Sequence, residues 1–152
     1  MLNVYLASGW FNEIQTKLMN EIHGVLKQLE IEGLITIFAP YYDGVVVKPG
    51  DPRAKWEEAF LLNVEKIYCS DLMIANIEQF DPGTIFETGV AYANGSTPVI
   101  AYSSVPGRGL NLMLAQSCIG FANSPKELEH YIRTFITNPG IKTLSKWEGE
   151  PI

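Results

Sequence analysis

The sequence predicts an α/β domain, a parallel sheet with helices on both faces. Three observations carry that expectation. Short β-rich runs alternate with amphipathic helical stretches along the chain. One run, Leu72 to Ile77, is almost wholly apolar, as suits a central parallel strand covered on both faces. The chain has 152 residues, 47% hydrophobic and 18% charged, which fits a single globular domain over residues 1–152. A chain of that length buries about 70% of its unfolded surface and needs no disulfide staple.

Leu2 to Ala7 is the first predicted strand, stopping at Ser8-Gly9. Ile14, Leu18, Ile22, Val25, Leu26 and Leu29 then recur at three- and four-residue steps, which predicts a helix from about Asn12 to Glu30, ended by Gly33. Leu34 to Phe38 is the second strand. Ala39 to Gly50, with Pro40, Gly44, Pro49 and two adjacent tyrosines, reads as a long structured loop. Asp51 is the expected N-cap of the next helix, with Pro52 in its first turn and Trp56, Phe60, Val64 and Ile67 on its buried face. After the apolar strand, a loop from Glu78 to Gly83 leads to a helix over Thr84 to Asn94, closed by Gly95. Pro98 to Tyr102 is the fourth strand. A short helix is expected over Leu110 to Gln116 and a fifth strand over Cys118 to Phe121. Ser124-Pro125 caps a last helix ending near Thr137; Asn138 to Ile152 shows no strong period.

Acidic residues number 17 against 11 basic, a net charge of −6, which argues against nucleic acid or an anionic membrane as partner. Cys69 and Cys118 lack the spacing and neighbours of a disulfide framework or a zinc site. They read as reduced thiols of a cytoplasmic protein. No signal peptide or membrane span is expected.

Ligands of open α/β sheets bind beyond the carboxyl ends of the strands, so the residues that follow the strands are the candidates. Ser8-Gly9-Trp10-Phe11 offers a glycine for close approach and two flat rings, for stacking a planar ligand or for packing a helix. It is neither a dinucleotide fingerprint nor a P-loop. Asp81 and Glu87 stand six residues apart across a strand-to-helix turn. Thr84-x-x-Glu87 reads as a capping box and Asp81 as a loop acid, yet a carboxylate one turn into this helix also faces the ligand edge. Asp71, at the amino end of its strand, reads as a solvated turn residue. Tyr5 is core filler, or a buried phenol that wants a carboxylate partner. His23 and His130 sit within helices without metal-type partners.

These residues bring a family into view. The chain resembles the nucleoside 2-deoxyribosyltransferases in Tyr5 to Phe11, Ser70 to Met73, Asp81 to Ala93 and Asn111 to Met113, in family order. The resemblance implies a flavodoxin-like, three-layer α/β/α fold with a five-stranded parallel sheet. It implies base exchange on 2′-deoxyribonucleosides by way of a covalent deoxyribosyl ester on Glu87, ping-pong and with retention. Tyr5 would hold that carboxylate. Asp71 and Asp81 would share base protonation and substrate hydrogen bonding. Ser8, Gly9, Trp10 and Phe11 would border the substrate, and Asn111 and Met113 would serve the site of a neighbouring subunit in a homo-oligomer, a hexamer or dimer. Neither cofactor nor metal is implied. Glutamine, expected in some members between Pro40 and Pro49, is absent here.

The chemistry suits carboxylates. Cleaving an N-glycosidic bond builds positive charge at the anomeric carbon, which one carboxylate can capture while a second acid protonates the leaving base. Trp10, Phe11, Tyr41 and Tyr42 are expected as walls that keep water from the ester. Two other readings remain: an N-glycoside hydrolase of 2′-deoxynucleosides or their 5′-monophosphates, and a non-catalytic nucleotide-binding module.

Overall fold

The structure, a computed structural model, describes residues 1–152. Five strands pair in one sheet: β1 (Leu2–Ala7), β2 (Ile35–Phe38), β3 (Leu72–Asn76), β4 (Val99–Tyr102) and β5 (Gly120–Ala122). Their order is β2-β1-β3-β4-β5 and every pair is parallel. This is the flavodoxin-like order, and it puts the switch point between β1 and β3.

Side chains alternate across the sheet and build two cores. Val4, Leu6, Leu72, Ile74, Ile100 and Tyr102 face α1 (Glu13–Ile31) and α6 (Pro125–Thr137). Tyr5, Ala7, Met73, Ala75, Val99 and Ala101 face the other layer, made of α3 (Arg53–Tyr68), α4 (Pro82–Asn94) and α5 (Leu112–Ser117). Ala7, Ala75 and Ala101 are in register across β1, β3 and β4. Three small side chains in a row let α4 lie close over the sheet at its carboxyl half. No helix is long and apolar enough to cross a membrane.

Local chemistry explains most boundaries. The Asn12 side chain accepts from the Gln15 N–H and caps α1, and Ser124 does the same for α6 through Glu127. Gly95 ends α4 with φ 74°, a left-handed position that glycine fills without steric cost.

Several expectations need correction. The stretch after β2 opens with a short helix, α2 (Pro40–Asp43), before running irregularly to α3. Asp51 does not cap α3: its Oδ2 accepts from the Lys48 N–H and pairs with Lys55, and extended Pro52 holds the cap position. Trp56 and Phe60, expected in the core, are 54% and 52% exposed, and Ile67 alone of that stripe is fully buried. The α3 surface turned inward carries the expected Val64 and Ile67 together with Lys55, Ala59, Leu62, Asn63 and Lys66. Periodicity finds an apolar stripe but not the partner that covers it. α4 starts at Pro82 rather than Thr84, α5 at Leu112 rather than Leu110, and β5 covers Gly120 to Ala122. The aperiodic segment 138–152 is pinned: Leu144 N–H donates to Ile119 O, Trp147 Nε1 to Arg108 O, and Ile152 N–H to Leu110 O.

Candidate active site

Three loops meet beyond the carboxyl ends of β1, β3 and β4. The β1–α1 loop is drawn in by Ser8, whose Oγ accepts from Asn76 Nδ2 at 3.0 Å and donates to Gly9 O at 2.9 Å. The Ser8 hydroxyl is therefore engaged within the chain. Gly9 follows where no side chain fits: a Cβ there would stand 2.8 Å from Gln15 Oε1 and 3.0 Å from Asp81 Cβ. Its absence lets the loop lie directly on the turn that opens α4.

That turn is set by Asp81. Asp81 Oδ2 accepts from the Thr84 N–H at 2.8 Å and from Thr84 Oγ1 at 3.1 Å, with Pro82 at the first helical position. Asp81 is thus the N-cap, and the capping-box reading of Thr84 and Glu87 fails because Thr84 already lies inside the helix. Glu87 is left without a capping role. One turn further along, its Oε1 accepts from the Tyr5 hydroxyl at 2.7 Å.

Tyr5 is fully buried in β1, with its ring 5.7 Å from that of Phe38. Burial pushes the Glu87 carboxyl up to about 7; the Tyr5 hydrogen bond opposes the shift and the Asp81 charge adds to it. Burial, and then the Glu87 charge, push the Tyr5 phenol well above its ordinary range. Each carboxylate has one oxygen bonded within the chain, Glu87 Oε1 and Asp81 Oδ2. No buried side-chain polar atom lacks a partner. The other oxygens, Glu87 Oε2 and Asp81 Oδ1, carry no hydrogen bond within the chain and are not fully sealed from solvent.

Aromatic side chains after β1 and β2 form a continuous run of contacts against α1. The Trp10 ring lies 5.2 Å from Phe11 and 5.5 Å from Tyr41, and Tyr41 lies 4.9 Å from Tyr42. Tyr42 stacks on His23 at 4.1 Å and bonds Asn20, which fixes α2 against α1. His23 thus packs rather than reacts.

Other candidates lie apart. Asp71 Oδ2 accepts from the Asn3 N–H at 2.8 Å, at the amino edge of the sheet. The fold does not bring it to Glu87. Asn111 caps α5 by accepting from the Met113 N–H at 2.9 Å, and Met113 is 75% exposed. Both border a groove of about 460 Å³ between α4 and α5 that does not include Glu87.

Residues that sequence reasoning missed hold the turn before Asp81. Gln79 and Phe80 have φ of 62° and 51°, and Gln79 Oε1 accepts from Asn12 Nδ2 at 2.8 Å. Nothing in Gln-Phe signals a left-handed backbone. Asn12 could have been found as the polar residue that precedes α1.

Comparison with known proteins bears on the fold and the family. No curated protein matches the chain in sequence. A solved 2-deoxyribosyltransferase from the psychrotolerant bacterium Bacillus psychrosaccharolyticus is 27% identical, with a TM-score of 0.76 over 88% of this chain and 95% of that one. A conserved protein from Enterococcus faecalis V583 is 21% identical with a TM-score of 0.73, over 88% and 98% of the two chains. The Clostridium botulinum CMP N-glycosidase BcmB is 19% identical with a TM-score of 0.55, over the same shares; these last two likenesses are of fold. The pattern of the nucleoside 2-deoxyribosyltransferases matches residues 4–134, a span that holds Tyr5, Asp81, Glu87 and Asn111, and the chain belongs to that family.

Proposed function

We propose that the protein exchanges the base of a 2′-deoxyribonucleoside through an ester on Glu87. The observation that carries this reading is the half-buried Glu87 carboxyl, held at one oxygen by Tyr5 and open at the other. Oε2 attacks C1′ from the face opposite the base. The C1′–O bond forms as the C1′–N bond breaks, and Asp81, at the N-cap of the same helix and carrying the one proton the two carboxyls share, delivers it to the departing base. A second base then takes C1′ from the ester by the reverse steps, returning its proton to Asp81 and restoring the original configuration. Gly9, Trp10 and Phe11 border the substrate, and the Trp10–Tyr41 wall stacks on the base and excludes water.

The active form is a homo-oligomer. Trp56, Phe60 and Phe86 form an exposed apolar face on α3 and α4, with the Phe60 and Phe86 rings 6.1 Å apart. A second copy covers this face and the α4–α5 groove, and Asn111 and Met113 reach a neighbour's substrate from there.

A 5′-monophosphate is disfavoured as substrate. Arg108, the cation near Asn111, is already paired with Glu78 at 3.1 Å. Incubation with deoxyinosine, with and without adenine, tests the reading. Deoxyadenosine formation with an added deoxyribosyl mass on Glu87 is expected. Hypoxanthine release independent of acceptor would assign hydrolysis instead, and nucleoside binding without turnover would assign a binding module.

A further inference from the structure

We propose that Glu78 and Arg108 are positioning residues for this chemistry, an ion pair that clamps the left-handed turn from which Asp81 and Glu87 are set; the inference rests on the base-exchange reading above. Glu78 is 8% exposed, and its carboxylate gathers four donors. Oε2 accepts from Ser103 Oγ at 2.9 Å, the Ser104 N–H at 2.9 Å and Ser104 Oγ at 3.3 Å, and Oε1 meets Arg108 Nη1 at 3.1 Å. The Arg108 guanidinium also lies over the Phe80 ring at 4.5 Å.

A buried ion pair is a weak source of stability, because both charges lose their water. Its value is conformational, and the residues it flanks are the two that need holding. Gln79 and Phe80 are consecutive non-glycine residues in the left-handed region, which persist only where their surroundings over-determine them. Here the turn is fixed on three sides: before it by Glu78, at Gln79 by Asn12, and at Phe80 by the Arg108 face. The next residue is Asp81, whose Oδ2 caps the helix that carries Glu87. The Glu78 N–H donates to Asn76 Oδ1 at 3.2 Å, and Asn76 in turn holds Ser8. One network thus ties the loops after β1, β3 and β4. A small shift of the turn moves both carboxylates relative to Tyr5, which stays fixed in the sheet.

The test compares Glu78→Gln, Arg108→Met and the double variant. Single-turnover release of hypoxanthine from deoxyinosine, KM for deoxyinosine and the exchange rate of the Thr84 amide proton are read in each. Each single change is expected to slow base release on the order of 10- to 100-fold, with KM held within about threefold, since misplacement spoils the attack geometry rather than ground-state binding. The losses should not multiply in the double variant, because both residues hold the same turn. Thr84 amide exchange should accelerate about tenfold. Base release within twofold of the parent in folded variants, or losses that multiply in the double, would overturn the proposal. Should Glu78→Gln fail to fold, Arg108→Lys, which keeps the charge but removes the flat face on Phe80, must still slow base release; an unchanged rate overturns it. A parent protein that releases no base refutes the base-exchange reading, while unaltered Thr84 exchange in the variants refutes the clamp.

Discussion

The Tyr5 hydroxyl donates to Glu87 Oε1 at 2.7 Å and joins side chains 82 positions apart in the chain. Tyr5 stands on a central strand and Glu87 on the helix that crosses above it, so the bond measures the distance between sheet and helix. It opposes the effect of burial by favouring the ionised carboxylate, the form that the proposed exchange requires.

Tyr5→Phe removes the one influence that lowers the Glu87 pKa. The acidic limb of the base-release pH profile, expected near pH 7 in the parent, should move to higher pH. A displacement of one unit would cut the rate at pH 6 by about tenfold and leave the plateau much less affected. Single-turnover measurements from pH 5 to pH 9 test this, and an unmoved limb would detach Tyr5 from the nucleophile.

Glu87→Gln should abolish transfer and yet stabilise the fold at alkaline pH. The folded pKa of Glu87 is raised from 4.5 to about 7, so the folded state binds the extra proton between those values. Stability therefore falls as pH rises from about 4.5 to 7, and stays at the lower level above. The neutral amide escapes that loss. After discounting for its solvent-facing oxygen, the gain is about 1–2 kcal/mol at pH 8 and near zero at pH 4. Urea denaturation at the two pH values measures it. A capping glutamate would show the opposite sign.

Asp81 has two duties that two substitutions separate. Asp81→Asn keeps an acceptor for the Thr84 N–H, so stability should hold within about 0.5 kcal/mol while base release slows about 10²- to 10⁴-fold. Asp81→Ala loses the cap as well and should cost about 1–2 kcal/mol more. Equal kinetic loss with equal destabilisation in both variants would leave Asp81 only its structural role.

Phe60→Glu places a charge in the exposed aromatic face of α3. Sedimentation equilibrium should show a smaller species than the parent, and base exchange should fall with it. A parent that is monomeric at all concentrations would remove the subunit-spanning role of Asn111.

Much of this architecture was legible in the chain. Strands β1, β3 and β4 announced themselves as short apolar runs, α1 by its periodicity, and α6 by the Ser124-Pro125 cap before its first turn. Asp81 was read as a loop acid, although Pro82 after it signals a cap, since proline favours the first helical position. The Thr84-x-x-Glu87 spacing competed with that signal. The outward face of α3 could not be read, because an apolar stripe looks the same whether it meets its own sheet or another molecule. Nor could the left-handed turn at Gln79 and Phe80, whose conformation is imposed by Asn12 and Arg108 from distant parts of the chain. Asp71 was drawn into the site by resemblance, and the register of β3 beside β1 leaves it at the opposite rim.

The row Ala7, Ala75 and Ala101 beneath α4 bears on how this enzyme could be altered. Each methyl acts as a spacer of minimum thickness. A bulkier replacement at Ala7 or Ala75 would lever the overlying helix outward and draw the Glu87 carboxylate away from the phenol below. Volume in that layer and reactivity are therefore one variable. On the proposed reading, engineering for new bases leaves the row alone and seeks its diversity along the rim, at Trp10, Tyr41 and their neighbours.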